Sequence, residues 1–376
     1  MVRKKIGTLT FHVAHNYGAM LQAYALPIVL QDLGYDAEVI DYRFPYIYKW
    51  GKVENYKNLT KSNGVIKGTL KWGKRLLKGN YSPKRKINKF NFFRENVMSC
   101  SDVIYSKKEE LKNMEYDAIL FGSDQIWNEN LTDGLATEFF GDFTCFSKTK
   151  KIAYAASCGK SCFSTNYKEI YCSLLKDFSA LGVREQGLVN FLNENNLKAE
   201  LVLDPTLLLL SSKWNEMVKK TKQYIKIPKE EYLLVYVFDE DDSIYTMIDK
   251  LASKYKLKVV MITYNKIKIR DSYCIIDECG PAEFVNLIAN AKKIVTTSFH
   301  GTAFSIIYHK DFYCVPHPKY HERTDSLLYM LNLQDRNIKN INDVENKEPI
   351  NWKNVERILN KKREQSIDFL KNSIEG

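Results

Sequence analysis

No apolar run in the sequence approaches the roughly 20 residues of a membrane-spanning helix. The first residues, Met1 to Gly7, lack the apolar core of a secretory leader, so a cytoplasmic location is expected. Cysteine occurs eight times (Cys100, Cys145, Cys158, Cys162, Cys172, Cys274, Cys279 and Cys314), but never as Cys-x-x-Cys and never in a His-Cys cluster of the kind zinc needs. These are read as reduced, mostly core, thiols. The three-glycine spacing of a dinucleotide fingerprint is missing, and no internal repeat or low-complexity tract is visible.

What remains is a globular composition, 45% hydrophobic and 27% charged, spread over 376 residues, a length that predicts two or three domains. Apolar β-branched runs alternate with helical patterns. Strands are expected at 5–13, 37–42, 116–121, 151–157, 180–184, 201–203, 232–238, 259–263, 294–297 and 312–315. Helices are expected from Asn16 toward Gly34, at 243–255 and 281–291, after Gly301, and at 352–370. Asn16 is a plausible N-cap, Gly18 permits close approach, and Pro27 should kink the first helix or split it. Residues 214–230 read as basic and irregular. Pro205 forces Asp204 into a turn. The fold class is therefore α/β with parallel sheets, divided as 1–194, 195–345 and a closing helix at 346–376 that packs back across the lobes.

The net charge of +11 is concentrated between Lys49 and Arg94, where basic residues interleave with Leu, Trp and Phe. A helical insertion near 49–100 is expected. It could lie on an anionic membrane, hold a phosphorylated substrate or nucleic acid, or form a solvated helix pair packed by its apolar faces. No nucleic-acid motif accompanies it, so nucleic acid ranks last.

Polar residues cluster where strands end, the usual place for ligands in such sheets. The strongest case is Thr297-Ser298-Phe299-His300-Gly301, between a strand and a helix whose free N–H groups suit an anion. His300 is either a buried core histidine or a functional one standing beside that site. Gly301 would let the backbone turn or approach a ligand. Gly122-Ser123-Asp124-Gln125 ends another strand. Arg184 and Arg323 are candidate anion ligands, and the loop carrying Lys319, His321 and Arg323 could face His300.

Taken in order, Asn16-Tyr17-Gly18-Ala19-Met20-Leu21-Gln22-Ala23-Tyr24-Ala25-Leu26, Phe121-Gly122-Ser123-Asp124-Gln125-Ile126-Trp127-Asn128, Val183-Arg184-Glu185, Leu203-Asp204-Pro205-Thr206 and Thr297-Ser298-Phe299-His300-Gly301 resemble the polysaccharide pyruvyl transferase family. The resemblance runs from about residue 5 to 330. It implies two Rossmann-like domains facing across a cleft, GT-B-like, and transfer of pyruvyl from phosphoenolpyruvate to a pair of sugar hydroxyls as a ketal in surface-glycan biosynthesis. It implies His300 as general acid, and Arg184, Arg323, Ser298, Gly301, Asn16, Gly18, Ser123, Asp124, Gln125 and His321 around the substrates. Neither metal nor cofactor is called for, phosphoenolpyruvate being a substrate. The acceptor would be a sugar; that it is a lipid-linked oligosaccharide, met by peripheral contact with an anionic membrane, is an expectation from the basic stretch near 49–94 and not from the resemblance. Members with demonstrated transfer commonly carry arginine two residues before the histidine, where this chain has Ser298. Arg323 or Lys319 would replace that charge. Otherwise the scaffold serves a nucleotide-sugar donor or a non-catalytic role in glycan assembly.

Overall fold

Strands that are apolar on both faces need cover on both sides, and the described strands meet that need by forming two parallel sheets with helices around them. The computed structural model describes residues 3–47, 84–143, 149–221, 227–238, 242–263, 270–316, 321–338, 341–344 and 347–376. The first sheet contains β1 (Lys5–Leu9), β2 (Asp36–Tyr42), β3 (Cys100–Tyr105), β4 (Ala118–Phe121), β5 (Lys150–Ala156), β6 (Ala180–Val183) and β7 (Ala199–Leu201), in the order β3-β2-β1-β4-β5-β6-β7. The second contains β8 (Tyr232–Tyr236), β9 (Lys258–Ile262), β10 (Cys274–Ile276), β11 (Lys293–Thr296) and β12 (Asp311–Cys314), in the order β10-β9-β8-β11-β12. Strand order reverses between β1 and β4 and between β8 and β11. Crevices open at such switch points, beyond the strands' carboxyl ends.

The helices that position the site are α1 (Tyr17–Asp32), α2 (Lys84–Asn96), α3 (Gln186–Glu194), α4 (Pro205–Leu208), α5 (Ser211–Thr221), α6 (Pro281–Asn290), α7 (Phe299–Ile307), α8 (Glu322–Met330) and α9 (Trp352–Glu375). Pro27 sits inside α1, which continues through it, so of the two expected outcomes the split does not occur. The lost backbone bond is outweighed by burial on both sides of it, from Leu21 and Ala25 to Val29 and Leu30. The stretch expected to be irregular contains α5, where Trp214, Met217, Val218 and Thr221 recur at helical spacing and are buried. Two strands escaped the sequence reading, and both are sheet edges. β3 exposes Val103 and Ile104, so it lacks the continuous apolar run by which buried strands are recognised. It also ends the expected helical insertion: residues 84–96 are helical, Cys100 opens a strand, and 49–83 lie outside the described residues. Cys145 lies outside them too. The other seven cysteines are free, but only Cys158, Cys279 and Cys314 are buried, which corrects the reading of mostly core thiols.

The lobes share one apolar core, in which Ile6 and Leu120 of the first sheet join Leu234 and Ile294 of the second. At its centre the Tyr17 ring stacks on Phe284 at 4.6 Å and 6°, and the Tyr17 hydroxyl donates to the Cys279 carbonyl at 2.9 Å. α2 turns its basic side chains into this junction. Lys86 donates to the Thr263 carbonyl at 3.2 Å, and Lys89 pairs with Glu283 at 2.6 Å. α9 returns along the first sheet, where Phe369 packs on Gly182 and Ser366 accepts from the Leu203 N–H at 3.0 Å. Among the described residues no helix is long and apolar enough to cross a membrane.

A continuous core predicts joint unfolding. Phe284→Ala should cost about 3–5 kcal/mol in urea unfolding, with tryptophan fluorescence and far-UV circular dichroism still tracing one transition; separate transitions would show the lobes to be independent.

Candidate active site

The turn from β11 into α7 is built by short polar side chains. Thr296 Oγ1 donates to the Tyr236 carbonyl at 2.8 Å and accepts from the Ser298 N–H at 3.0 Å. Ser298 is the N-cap of α7, its hydroxyl accepting from the Gly301 N–H at 3.3 Å. A Cβ on Gly301 would lie 2.3 Å from Thr296 Oγ1. The missing side chain at 301 thus serves helix-on-strand packing, and Ser298 serves the cap, where the sequence had suggested ligand contacts for both.

This turn delivers His300 into the first lobe. A Cβ on Gly18 would lie 2.0 Å from His300 Nδ1, so the bare first turn of α1 is the surface on which the imidazole rests. Asn16 caps that helix by accepting from the Ala19 N–H at 3.1 Å. His300 is 6% exposed, and its Nε2 has no hydrogen-bond partner. That atom lies 3.7 Å from Asp204 Oδ2, a charge contact longer than a hydrogen bond.

Asp204 gathers the rest. It is the N-cap of α4, and its Oδ1 accepts from the Thr206 N–H at 3.0 Å and the Thr206 hydroxyl at 2.7 Å. Its Oδ2 accepts from Arg184 Nη1 at 2.6 Å and the Ser123 hydroxyl at 3.0 Å. Arg184 also donates from Nη2 to Asp124 at 3.2 Å. Asp124 is held at φ 72°, in the left-handed region, directly after Ser123 at the end of β4. Burial alone would lower the Arg184 guanidinium, but Asp204, Asp124 and Glu185 together raise it above its ordinary value.

Two guanidiniums lie near the Phe299 ring, Arg184 at 5.0 Å and Arg323 at 5.8 Å from its centre. Arg323 arrives from α8. Turned with its amide oxygen toward the guanidinium, Gln125 accepts from Arg323 at 3.0 and 3.3 Å. Burial, and then the charge of Arg184, push Arg323 down to about 10, still cationic at neutral pH. His321 precedes α8 and pairs with Asp325 at 2.6 Å, on a half-exposed surface and away from these contacts. Lys319 lies outside the described residues.

Gly18, Ser123, Asp124, Gln125, Arg184, His300 and Arg323 therefore converge, while Asn16, Ser298 and Gly301 shape helix starts and His321 pairs with Asp325. Two buried acids were missed as site residues. Asp204 had been read as a turn and as part of a family motif, without a role at the site, although a buried acid ahead of Pro205 needs cationic partners. Glu185 follows Arg184 at the end of β6 and is fully buried.

Two parallel sheets whose switch points meet at a polar cluster define a two-lobed α/β protein of the GT-B kind. Residues 16–319 match the family model described as polysaccharide pyruvyl transferase, and the chain belongs to that family. A comparison with curated proteins found no match. Among solved structures the chain is similar to UDP-GlcNAc 2-epimerase from Methanocaldococcus jannaschii, at 14% identity and TM-score 0.50, covering 96% of this chain and 99% of that one. It is also similar to UDP-GlcNAc 2-epimerase from Neisseria meningitidis, at 10% identity and TM-score 0.48, covering 98% and 94%. A spinosyn forosaminyltransferase matches at 9% identity and TM-score 0.41, covering 100% and 95%. At these identities the likeness concerns the fold.

Burial would raise the Asp204 carboxyl, but His300, Arg184 and Thr206 bring it well below the usual carboxylate range. A depressed carboxyl adds stability that is complete above about pH 4 and is lost as the pH falls further. Asp204→Asn should cost about 3–5 kcal/mol at neutral pH and should flatten the acid side of the stability profile, both read by urea unfolding. Gly18→Ala should displace the His300 ring, read as a shifted imidazole resonance, and should cost about 1–3 kcal/mol in urea unfolding.

Proposed function

We propose that the protein is a phosphoenolpyruvate-dependent pyruvyl transferase that builds a ketal on two hydroxyls of a sugar. The observation that carries this reading is His300, brought from one lobe onto Gly18 of the other, beside a carboxylate and two arginines. Phosphoenolpyruvate presents a phosphate and a carboxylate. Arg323 and the N-terminus of α7 supply the matching positive charge, and the unpartnered Arg184 Nε adds a donor.

In the proposed reaction His300 Nε2 gives its proton to the methylene carbon, and the double-bond electrons form the new C–H bond. The adjacent carbon becomes an oxocarbenium-like centre. One sugar hydroxyl attacks it and loses its proton; the second displaces phosphate, loses its proton and closes the ketal ring. Asp204 balances the charge of a protonated His300, and the arginines balance the departing phosphate. The acceptor is proposed to be a sugar or lipid-linked oligosaccharide in surface-glycan assembly, met in the cytoplasm or by peripheral approach to the membrane.

The test is calorimetric titration with phosphoenolpyruvate, and in parallel with UDP and CMP, on wild type, Arg323→Ala and His300→Ala. Phosphoenolpyruvate should bind wild type, Arg323→Ala should weaken it about 10- to 100-fold, and His300→Ala should retain binding. In the presence of acceptor, phosphate release by His300→Ala should fall about 10² to 10⁴-fold. Binding of a nucleotide in place of phosphoenolpyruvate would overturn the reading in favour of a nucleotide-sugar donor.

A further inference from the structure

Beside the arginine pair lies a carboxyl that the proposed reaction does not use. Glu185 is 0% exposed. Its Oε1 accepts a short hydrogen bond from Ser157, whose hydroxyl in turn accepts from the Gly159 N–H at 2.9 Å. Its Oε2 has no partner. Arg184 Nε, 3.8 Å from Oε1, is beyond hydrogen-bond reach and is likewise unpartnered, as are Arg323 Nε and His300 Nε2. Leaving so many buried polar atoms unpaired is costly in a folded protein. Oxygens of an anion would satisfy the nitrogens. An ionised Glu185 among them would repel that same anion, whereas a protonated Oε2 would be one more donor toward it.

We propose that Glu185 carries a proton in the donor-bound state, so that binding of a phosphorylated carboxylate takes up a proton at this carboxyl and turns Oε2 into a donor within the arginine cluster. Glu185 is thus a positioning residue that sets the charge of the anion site. The surrounding charges agree. Arg184 on its own strand end and Arg323 on α8 face it as cations, and Glu322 on α8 faces it as an acid. Asp124 and Asp204 already engage Arg184 and Glu322 stands close by, so an ionised Glu185 would set four acids against two arginines before any donor arrived. Cys158, beyond Ser157, has its thiol raised by burial and then by Glu185, and contributes no charge. Burial lifts the Glu185 carboxyl to about 7 against the opposing pull of Arg184, Ser157 and Arg323, so both forms are accessible near neutrality.

This inference rests on the proposed donor, and the experiment separates the two. Phosphoenolpyruvate is titrated calorimetrically into the full chain in buffers of low and high ionisation enthalpy, at about pH 8 where a group titrating near 7 is mostly ionised. Wild type should take up close to one proton per donor bound, and its affinity should fall about tenfold per pH unit above 7. Glu185→Gln, which mimics the protonated carboxyl, should bind with no such uptake and with affinity that stays level over the same range. Ser157→Ala, which removes a bond favouring the ionised form, should shift the fall in affinity to higher pH. Equal proton uptake and equal pH slopes in wild type and Glu185→Gln would overturn the inference while leaving the donor reading intact. If phosphoenolpyruvate binds none of the proteins, the donor reading falls, and the same titrations with inorganic phosphate decide the role of Glu185; no binding of phosphate, or no difference between the two proteins, would overturn that as well.

Discussion

Taking the Asp204 carboxylate out of water is costly unless its oxygens find donors, and the chain answers from four places. Thr206 donates twice from the next turn, Ser123 from the end of β4, and Arg184 from the end of β6, while His300 approaches from the other lobe. Each partner is drawn to the same end of its sheet. A buried pair of this kind is weak as a source of net stability, because desolvation offsets much of the Coulomb gain. Its effect is positional. With both Arg184 Nη atoms engaged by aspartates, the guanidinium is held in a single orientation, and the edge left over faces Phe299 and Glu185.

The join between the lobes has the same consequence on a larger scale. Tyr17 on Phe284 and α2 against α6 make the contact apolar and continuous, so opening it would expose core to water. His300 therefore already rests on Gly18 in the structure as it stands. On the proposed chemistry, preset geometry of this sort would lower the cost of assembling acid and anion ligands around a substrate. The basic residues of α2 belong to this join as well. Lys86 and Lys89 brace it against Thr263 and Glu283, which is why a charge-rich segment that read as a surface feature is in part an interior one.

Most of the sheet was legible because buried parallel strands are short apolar runs at regular spacing, and β1, β4, β5, β8 and β11 all read that way. β3 and β10 did not, since edge strands need less apolar cover and carry a mixed pattern. α5 was hidden by its lysines, and its burial pattern emerges only from the spacing of Trp214, Met217 and Val218. Within the site, His300, Arg184 and the Ser123-Asp124-Gln125 run were recognisable as polar residues at strand ends. The work done by glycine was not. Gly301 and Gly18 read alike as points of close approach, yet one admits Thr296 of its own strand and the other a ring from the opposite lobe. Asp204 and Glu185 were passed over for a related reason. Acids are common, and a sequence does not say which of them will be buried.

The residue before Phe299 shows why a linear motif is an incomplete guide to an anion site. Ser298 spends its hydroxyl on the first turn of α7, a cap generally worth about 1 kcal/mol. An arginine there would forgo that bond. Cationic character reaches the same place from two other elements, Arg184 at the end of β6 and Arg323 on α8, both near the Phe299 ring. The two are not equivalent. Arg184 is neutralised by Asp124 and Asp204, whereas Arg323 meets a neutral amide and feels Arg184 as a like charge. Arg323, which no acid engages by a hydrogen bond, is thus the less compensated cation, and on the proposed chemistry an anion would lower the electrostatic energy most by settling beside it. On the proposed chemistry Arg323 receives the phosphate, which leaves the carboxylate for the start of α7.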